Sequence, residues 1–306
     1  MRGWSMLPAV VEEAIREVAE DRTSGASKLA RLAVETMGLA IVDAKGRPDP
    51  KELAEVARRI SEAQPAMAIV HNVAHLVARL VSEGHDPKAV LVEIQTELDH
   101  ARERIARTFL KVVPPHATIV TLSHSDNVLE AIKMAHGRGH VSRVYAMESG
   151  PLFEGRTLAN ALSDADIPAT VVPDAEGASL LARASCALVG ADSVLRDAAV
   201  VNKVGTHGLA RAAADRKKPF YVACETLKFD ARYDVTSWPG LLSRDASGPP
   251  KADEGTSATY HDFEITPAHL VTMLITERGS YTPEVVRTML STGRDRGTRK
   301  AGETRE

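Results

Sequence analysis

The feature that most constrains the fold of this chain is a change of hydrophobic pattern near residue 112, marked by the pair Pro114 and Pro115. Neither proline donates a backbone hydrogen bond, and each disfavours the α conformation in the residue before it, so a helix cannot continue through the pair. Apolar residues before it recur every three or four positions, whereas short β-branched runs follow it. We therefore expect two domains, residues 1–112 and 116–290.

The first of these domains has the spacing of amphipathic helices. One predicted helical face carries Leu7, Val11, Ile15 and Val18. Breaks at Gly25, 46–50, 64–65 and 84–87 divide this part into about five helices joined by short turns. Thr23 and Ser24 precede the second helix and are typical of a helix N-cap. The first domain is therefore predicted to be helical.

The second domain alternates strand-like runs with helical segments. The runs lie at residues 117–122, 143–147, 169–172, 186–189 and 220–223. Such alternation predicts an α/β fold with a parallel sheet covered on both faces. Ligands of these sheets bind beyond the carboxyl ends of the strands, so the residues after each run are candidate site residues. Residues 291–306 are almost free of apolar side chains and are expected to be disordered.

Composition excludes several classes of function. The chain has 306 residues, of which 44% are hydrophobic and 26% are charged, as in a globular protein. With 38 Lys and Arg against 41 Asp and Glu, it lacks the basic excess that nucleic-acid binding requires. It has no apolar run long enough to span a membrane, and its two cysteines cannot form a disulfide framework. A cytoplasmic protein without nucleic-acid or membrane partners is expected.

The first candidate site segment is Ser123-His124-Ser125-Asp126, directly after the first predicted strand. His124 is either a base or a structural hydrogen-bonding group, and Asp126 is expected to cap the next helix. Ser123 lies outside any Gly-x-Ser-x-Gly motif, so a hydrolase nucleophile is not supported.

Asp192 follows the fourth run, where partial burial would raise its pKa toward a useful acid/base range. A capping or turn aspartate is the alternative. Further on, Asn202, Lys203, Gly205 and Thr206 lead into a helical segment. A cation and free N–H groups at a helix start form an anion site, although a solvated turn with a surface lysine fits the same pattern.

Metal and cofactor motifs are weak in this sequence. His71 and His75 are four residues apart on a predicted helix, but Asn72 stands where a zincin needs glutamate. No Gly-x-Gly-x-x-Gly follows a predicted strand, which argues against a dinucleotide dehydrogenase. Cys186 is expected to be buried, and Cys224 is expected to be more open at a strand end. We therefore predict neither a metal site nor a cofactor.

Several short motifs in order resemble a known family. They are the segments 190–195, which begins Gly190-Ala191-Asp192, and 200–206, the strand 218–222 and the segments 263–267 and 275–279. Together they resemble the family that joins the regulatory subunits of translation initiation factor 2B to ribose-1,5-bisphosphate and methylthioribose-1-phosphate isomerases. The resemblance implies a helical N-terminal domain, a Rossmann-like C-terminal domain, and pairing of the C-terminal domains into homodimers or larger homo-oligomers.

The resemblance also implies roles for individual residues. In the isomerases a cysteine after the first C-terminal strand and the aspartate of Gly-Ala-Asp exchange protons or hydride between C1 and C2 of an aldose phosphate. Asp192 matches that aspartate, and Asn202 and Lys203 match the substrate-contacting Asn-Lys. Ser123 stands in place of the cysteine, and a hydroxyl is a far weaker acid than a thiol.

Three arginines of the isomerase pattern are also missing. The corresponding positions read Ser24-Gly25-Ala26, Glu148-Ser149-Gly150-Pro151 and Gln64-Pro65. By resemblance Ser24, Gly25, Ala26 and Glu148 lie at the ligand, but without the guanidinium groups that clamp phosphate. These departures weaken the case for a bisphosphate substrate.

Two hypotheses of different class follow. In the first, which the serine at position 123 favours, the chain is non-catalytic, binds a phosphorylated sugar or nucleotide through Asp192, Lys203 and Thr206, and acts on partner subunits such as those of translation factors. In the second it is an aldose-phosphate isomerase in which Asp192 acts with Ser123 or His124.

Overall fold

A computed structural model of the chain describes residues 7–21, 25–240, 243–245, 256 and 259–292. The helical part consists of α1 (Ala9–Glu20), α2 (Ala26–Asp43), α3 (Pro50–Ala63), α4 (Ala68–Ser82) and α5 (Pro87–Leu110). Their apolar faces enclose one core, in which Leu29, Ile60 and Ile69 are fully buried. The predicted helical breaks are confirmed.

Local signals explain where these helices begin. Helices α3 and α5 each have proline at the first position after an aspartate N-cap, and the Asp49 and Asp86 carboxylates accept hydrogen bonds from the backbone N–H groups of Lys51 and Ala89 at 2.8 Å. Helix α2 differs, because its N-cap residue Gly25 has no side chain. The predicted Thr23 and Ser24 cap lies outside the described residues.

The remaining helices are α6 (Asp126–Gly137), α7 (Glu154–Ser163), α8 (Gly177–Leu180), α9 (Thr206–Asp215) and α10 (Pro283–Thr292). The strands are β1 (Ala117–Leu122), β2 (Val141–Met147), β3 (Ala169–Val172), β4 (Cys186–Val189), β5 (Ser193–Leu195), β6 (Val200–Lys203), β7 (Phe220–Ala223), β8 (Phe229–Asp230), β9 (Ser243–Asp245), β10 (Thr259–His261), β11 (Phe263–Thr266), β12 (Met273–Thr276) and β13 (Gly279–Tyr281).

The main sheet has the strand order β13-β12-β7-β4-β1-β2-β3. Its neighbours pair in parallel except for β13, which is antiparallel to β12. The six parallel strands, numbered by their appearance in this sheet, lie in the order 3-2-1-4-5-6, which is the Rossmann order. The predicted α/β class is confirmed, and the strand order reverses between β1 and β4.

Alternate residues of these strands face two different cores. Val120 and Ala187 belong to one buried cluster, and their neighbours Ile119 and Cys186 belong to the other. Helices α9 and α10 contribute to the first cluster, whereas α5, α6 and α7 contribute to the second. The sheet is therefore covered on both faces, which explains why its strands form uninterrupted apolar runs in the sequence.

A second sheet of four strands, in the order β11-β6-β5-β8, was not predicted from the sequence. Its strands are two to four residues long, too short for a clear alternating pattern. Asn202 and Lys203 lie on β6 rather than in a loop. Asp192 lies between β4 and β5 and not at the end of a strand. An antiparallel pair of β9 and β10 completes the strand pairing of the described residues.

The C-terminal part of the described chain ends with α10. This helix runs to Thr292, so residues 291 and 292 are helical and not part of a disordered tail. Residues 293–306 of the predicted tail lie outside the described residues. Within the described ranges, no helix is both long enough and apolar enough to cross a membrane.

The start of α7 packs against the end of β2 with no space between the backbones. A Cβ atom on Gly155 would lie 1.8 Å from the carbonyl oxygen of Met147. Gly155→Ala should therefore lower the free energy of unfolding by about 3 kcal/mol, because backbone must move to make room. Urea unfolding followed by circular dichroism measures the change.

Gly208→Ala is the matched control, because Gly208 lies within α9 and nothing is within 4 Å of the added Cβ. This variant should be more stable than the wild type by about 0.5 to 1 kcal/mol through helix propensity. Equal stability of the two variants would contradict the packing described for α7.

Candidate functional site

Ser123 begins the turn after β1 and has left-handed backbone geometry, with φ of 60°. Its N–H donates to the Ser149 hydroxyl oxygen at 2.6 Å. The Ser149 hydroxyl in turn donates to the carbonyl of Met147 at 3.1 Å. The turn after β2 therefore holds the Ser123 backbone in place at the point where the strand order reverses.

His124 faces a charged pair. Its Nε2 atom lies 3.3 Å from Asp126 Oδ1, and the other oxygen of Asp126 accepts from Arg102 of α5 at 2.7 Å. The hydrogen bond with His124 lowers the pKa of Asp126. His124 Nδ1 is buried without a hydrogen-bond partner. The N-cap of α6 is Ser125, so the expectation that Asp126 fills this role is wrong.

Glycine is required where the turn after β4 meets the start of α6. A Cβ on Gly190 would lie 2.8 Å from the Ser125 hydroxyl oxygen and 2.9 Å from its Cβ. The Gly of Gly-Ala-Asp therefore allows the turn that leads to Asp192 to contact the segment that follows β1.

Asp192 is partly buried, and its N–H donates to the carbonyl of Val201 at 2.9 Å. Burial raises the pKa of its carboxyl group, and the nearby ammonium groups of Lys228 and Lys203 oppose that rise. The direction of this shift is the one expected from the sequence. Burial therefore favours the protonated form of this carboxyl group, whereas the two lysines favour the ionised form.

Lys203 is already paired with acidic side chains. Its Nζ lies 2.6 Å from Glu154 Oε1 and 3.8 Å from Asp262 Oδ1, and the side chain is buried. Glu154, the first residue of α7, was not predicted from the sequence to lie at this lysine. The cation that the sequence analysis assigned to a ligand is therefore neutralised within the protein.

The backbone N–H groups at the start of α9 are also hydrogen-bonded to a side chain of the protein. The N–H groups of Gly205 and His207 donate to Glu264 Oε1 at 2.7 and 2.8 Å. The Thr206 hydroxyl accepts from Asn202 Nδ2 at 2.9 Å. The expectation of free N–H groups at this helix start is therefore wrong for two of them. The assignment of Asn202, Gly205 and Thr206 to a ligand remains a prediction.

A second lysine, Lys228, lies close enough to Asp192 to affect its pKa and was not predicted from the sequence. Lys228 Nζ is 3.1 Å from Glu225 Oε2, and both residues are buried. Burial opposes protonation of Lys228, but the charges of Glu225 and Asp192 outweigh it and raise the Lys228 pKa. Ser27 of α2 donates to Glu225 Oε1 at 2.9 Å. Through Ser27, the helix start at Gly25 and Ala26 is held beside the sheet.

Neither cysteine offers a reactive thiol. Both are fully buried, so the expectation for Cys186 is confirmed and the expectation that Cys224 is more open is wrong. Burial raises the pKa of the Cys186 thiol to about 12 and raises that of Cys224 as well. No described cysteine can therefore replace the thiol that is absent at Ser123.

Glu148 lies after β2, and its Oε2 accepts from Arg156 of α7 at 2.6 Å. The two residues that follow it, Ser149 and Gly150, donate their N–H groups to Asp174 at 2.8 Å. These contacts shape the loop that carries α7. A ligand contact of Glu148 remains a prediction, and Ser24 lies outside the described residues.

A cavity of about 840 Å³ lies beside this site, between α4, α5 and the ends of β7 and β12. His71 and His75 line it with ring centroids 4.2 Å apart, and burial lowers the pKa of His71 to about 3. Across the residues that the structure describes, no three His, Cys, Asp or Glu side chains are grouped as metal ligands.

This is a two-part protein in which a helical part precedes a Rossmann-like sheet, and in which Asp192, Lys203 and Lys228 lie close together. Residues 22–283 match the family described as "Initiation factor 2 subunit family", and the chain belongs to this family.

Two relatives illustrate its range of functions. A putative translation initiation factor eIF-2B subunit 2-like protein of Pyrococcus furiosus is 32% identical over 91% of this chain and 98% of its own length. The ribose 1,5-bisphosphate isomerase of Archaeoglobus fulgidus is 28% identical over 90% of each chain. Among solved structures, the Pyrococcus horikoshii translation initiation factor eIF-2B superimposes with a TM-score of 0.79 at 30% identity, over 90% of this chain and 98% of that chain.

The opposite pKa shifts of two aspartates give a stability test. Asp192 has a raised pKa, so its charged form costs stability above the ordinary aspartate pKa, and Asp192→Asn should raise Tm at pH 7. Asp126 has a lowered pKa, so Asp126→Asn, the matched change, should lower Tm at pH 7.

The Asp192→Asn difference should shrink first as the pH falls toward the ordinary aspartate pKa, because the wild-type carboxyl group is then protonated and neutral like the amide. The Asp126→Asn difference should persist down to the ordinary aspartate pKa and shrink only below it, because the folded-state pKa of Asp126 is lower still. Scanning calorimetry from pH 8 down to about pH 2 measures both differences. A lower Tm for Asp192→Asn at pH 7 would contradict the burial described for Asp192.

Proposed function

We propose that this chain is a factor-2B-like protein that binds a phosphorylated sugar or nucleotide at the crevice beside Asp192, Lys203 and Lys228, and that it does not isomerise the ligand. The observation that carries the proposal is Ser123. By the family resemblance Ser123 stands where the isomerases have a cysteine, and its contacts do not activate it for proton transfer.

The contacts of the turn support this conclusion. An unassisted hydroxyl needs a base to exchange protons near neutral pH. The nearest candidate, His124, directs Nε2 to Asp126, which is itself held by Arg102. The second acid/base partner that Asp192 needs for movement of a proton between C1 and C2 is therefore not provided by the turn.

The charges of the crevice support binding of a weakly anionic ligand. The two lysines are in contact with the carboxylates of Glu154, Asp262 and Glu225. A bisphosphate would bring up to four negative charges to this acidic environment, without the arginine clamps of the isomerase pattern. A ligand with one phosphate fits the charge distribution better.

An aldose-phosphate isomerase with altered chemistry is the second candidate. It is favoured by one observation, the partly buried Asp192 with its raised pKa. In that case Asp192 would remain the acid/base group, and His124, whose buried Nδ1 has no partner, would supply the other proton transfer.

The proposal extends to assembly and location. Pairing of the sheet domains into homodimers or larger assemblies, contacts with translation factor subunits and a cytoplasmic location follow from the family resemblance. Light scattering that gives a 32.9 kDa particle at micromolar concentration would contradict self-association.

The ligand proposal is tested by calorimetric titration with ribose 5-phosphate, methylthioribose 1-phosphate and AMP. Lys203→Met should weaken binding by about 1.5 to 3 kcal/mol, because it removes one of two cations that offset the surrounding carboxylates. Lys133→Met is the control, since Lys133 is exposed on α6, and it should bind like the wild type. Equal loss in both variants would contradict the site.

Turnover is tested separately by ¹³C NMR of the same sugar phosphates. The wild type should show no aldose-to-ketose conversion at enzymatic rates. Ser123→Cys should introduce slight conversion by supplying a thiol, with poor affinity for phosphate groups. Wild-type conversion at rates near 10 per second, lost in Asp192→Asn, would establish the isomerase instead.

A further inference from the structure

Glu154 has one oxygen in use and one without a partner. Oε1 lies 2.6 Å from Lys203 Nζ, whereas Oε2 is buried and accepts no hydrogen bond. A buried carboxylate oxygen without a donor is costly, and such atoms in a crevice are commonly satisfied by a bound molecule. The carboxylate therefore pairs with Lys203 through one oxygen and leaves its other oxygen as an unused hydrogen-bond acceptor.

Backbone contacts on both sides hold the residue that carries this carboxylate. Phe153, the residue before it, has φ of 60° and donates its N–H to the carbonyl of Ser149 at 2.9 Å. Gly155, the residue after it, donates to the carbonyl of Glu148 at 3.2 Å and contacts β2 too closely for a side chain. These contacts hold the backbone of Glu154 at the start of α7, and its side chain extends from there to Lys203.

We infer that Glu154 determines which part of the ligand lies at Lys203: it accepts a hydrogen bond from a ligand hydroxyl and excludes a phosphate group. The inference rests on the proposed function, since it concerns the same crevice. A phosphate beside Lys203 would have to displace the Glu154 carboxylate and would be repelled by it. A hydroxyl instead donates to Oε2 and leaves the ion pair intact.

The ligand class that follows is a polyhydroxylated monophosphate, such as a pentose phosphate, with its phosphate away from Lys203. Selectivity in this crevice then comes from a repulsive carboxylate as well as from the two lysines. A pentose with a second phosphate at the Lys203 end is rejected.

The test is isothermal titration of wild type, Glu154→Gln and Glu284→Gln with ribose 5-phosphate and ribose 1,5-bisphosphate. Glutamine keeps the size of the side chain and removes its charge. Glu154→Gln should bind the bisphosphate about tenfold more tightly than the wild type and ribose 5-phosphate within about twofold. Glu284 is exposed in the first turn of α10, so Glu284→Gln makes the same charge change elsewhere and should match the wild type.

Glu154→Ser serves as a second variant if Glu154→Gln does not fold, and it should shift the bisphosphate affinity in the same direction. Wild-type binding of ribose 5-phosphate with no gain of bisphosphate affinity in either Glu154 variant overturns this inference and leaves the proposed function standing. Absence of binding of both sugars to every protein overturns the inference, and absence of AMP binding as well overturns the proposed function.

Discussion

The buried ion pair between Lys228 and Glu225 is the interaction on which the arrangement of the site depends. Both side chains are removed from water, so each charge requires the other. Glu225 also accepts a hydrogen bond from Ser27, which belongs to the helical part of the chain. The pair therefore joins the two parts of the protein and places a cation near Asp192.

The other charged groups near Asp192 are arranged around this lysine and Lys203. Two lysines hold a partly buried aspartate, and the carboxylates of Glu154 and Glu225 neutralise the lysines in turn. A crevice built in this way has little unpaired positive charge to offer a ligand. This charge distribution is the basis of the proposal that the ligand carries hydroxyl groups and a single phosphate.

The sequence predicted the fold well because the main strands are buried on both faces and appear as continuous β-branched runs. The strands of the second sheet escaped prediction because each is only two to four residues long. Asp192 and Lys203 were found from short motifs in order. Glu154, Lys228 and Ser27 were not assigned to the site, because they come from three distant segments that only tertiary packing brings together. Cys224 was expected to be more exposed, but tertiary packing buries it in the core on one face of the main sheet.

Hydrogen exchange with and without saturating ribose 5-phosphate locates the ligand without requiring turnover, and so tests whether it binds beside Asp192. Binding in the crevice predicts increased protection of backbone amides in residues 123–126, 190–192 and 202–206, with little change along α4 and α5 where they line the neighbouring cavity. Protection confined to the α4 and α5 amides around His71 and His75, with none at 190–192, would contradict the account and place the ligand in that cavity.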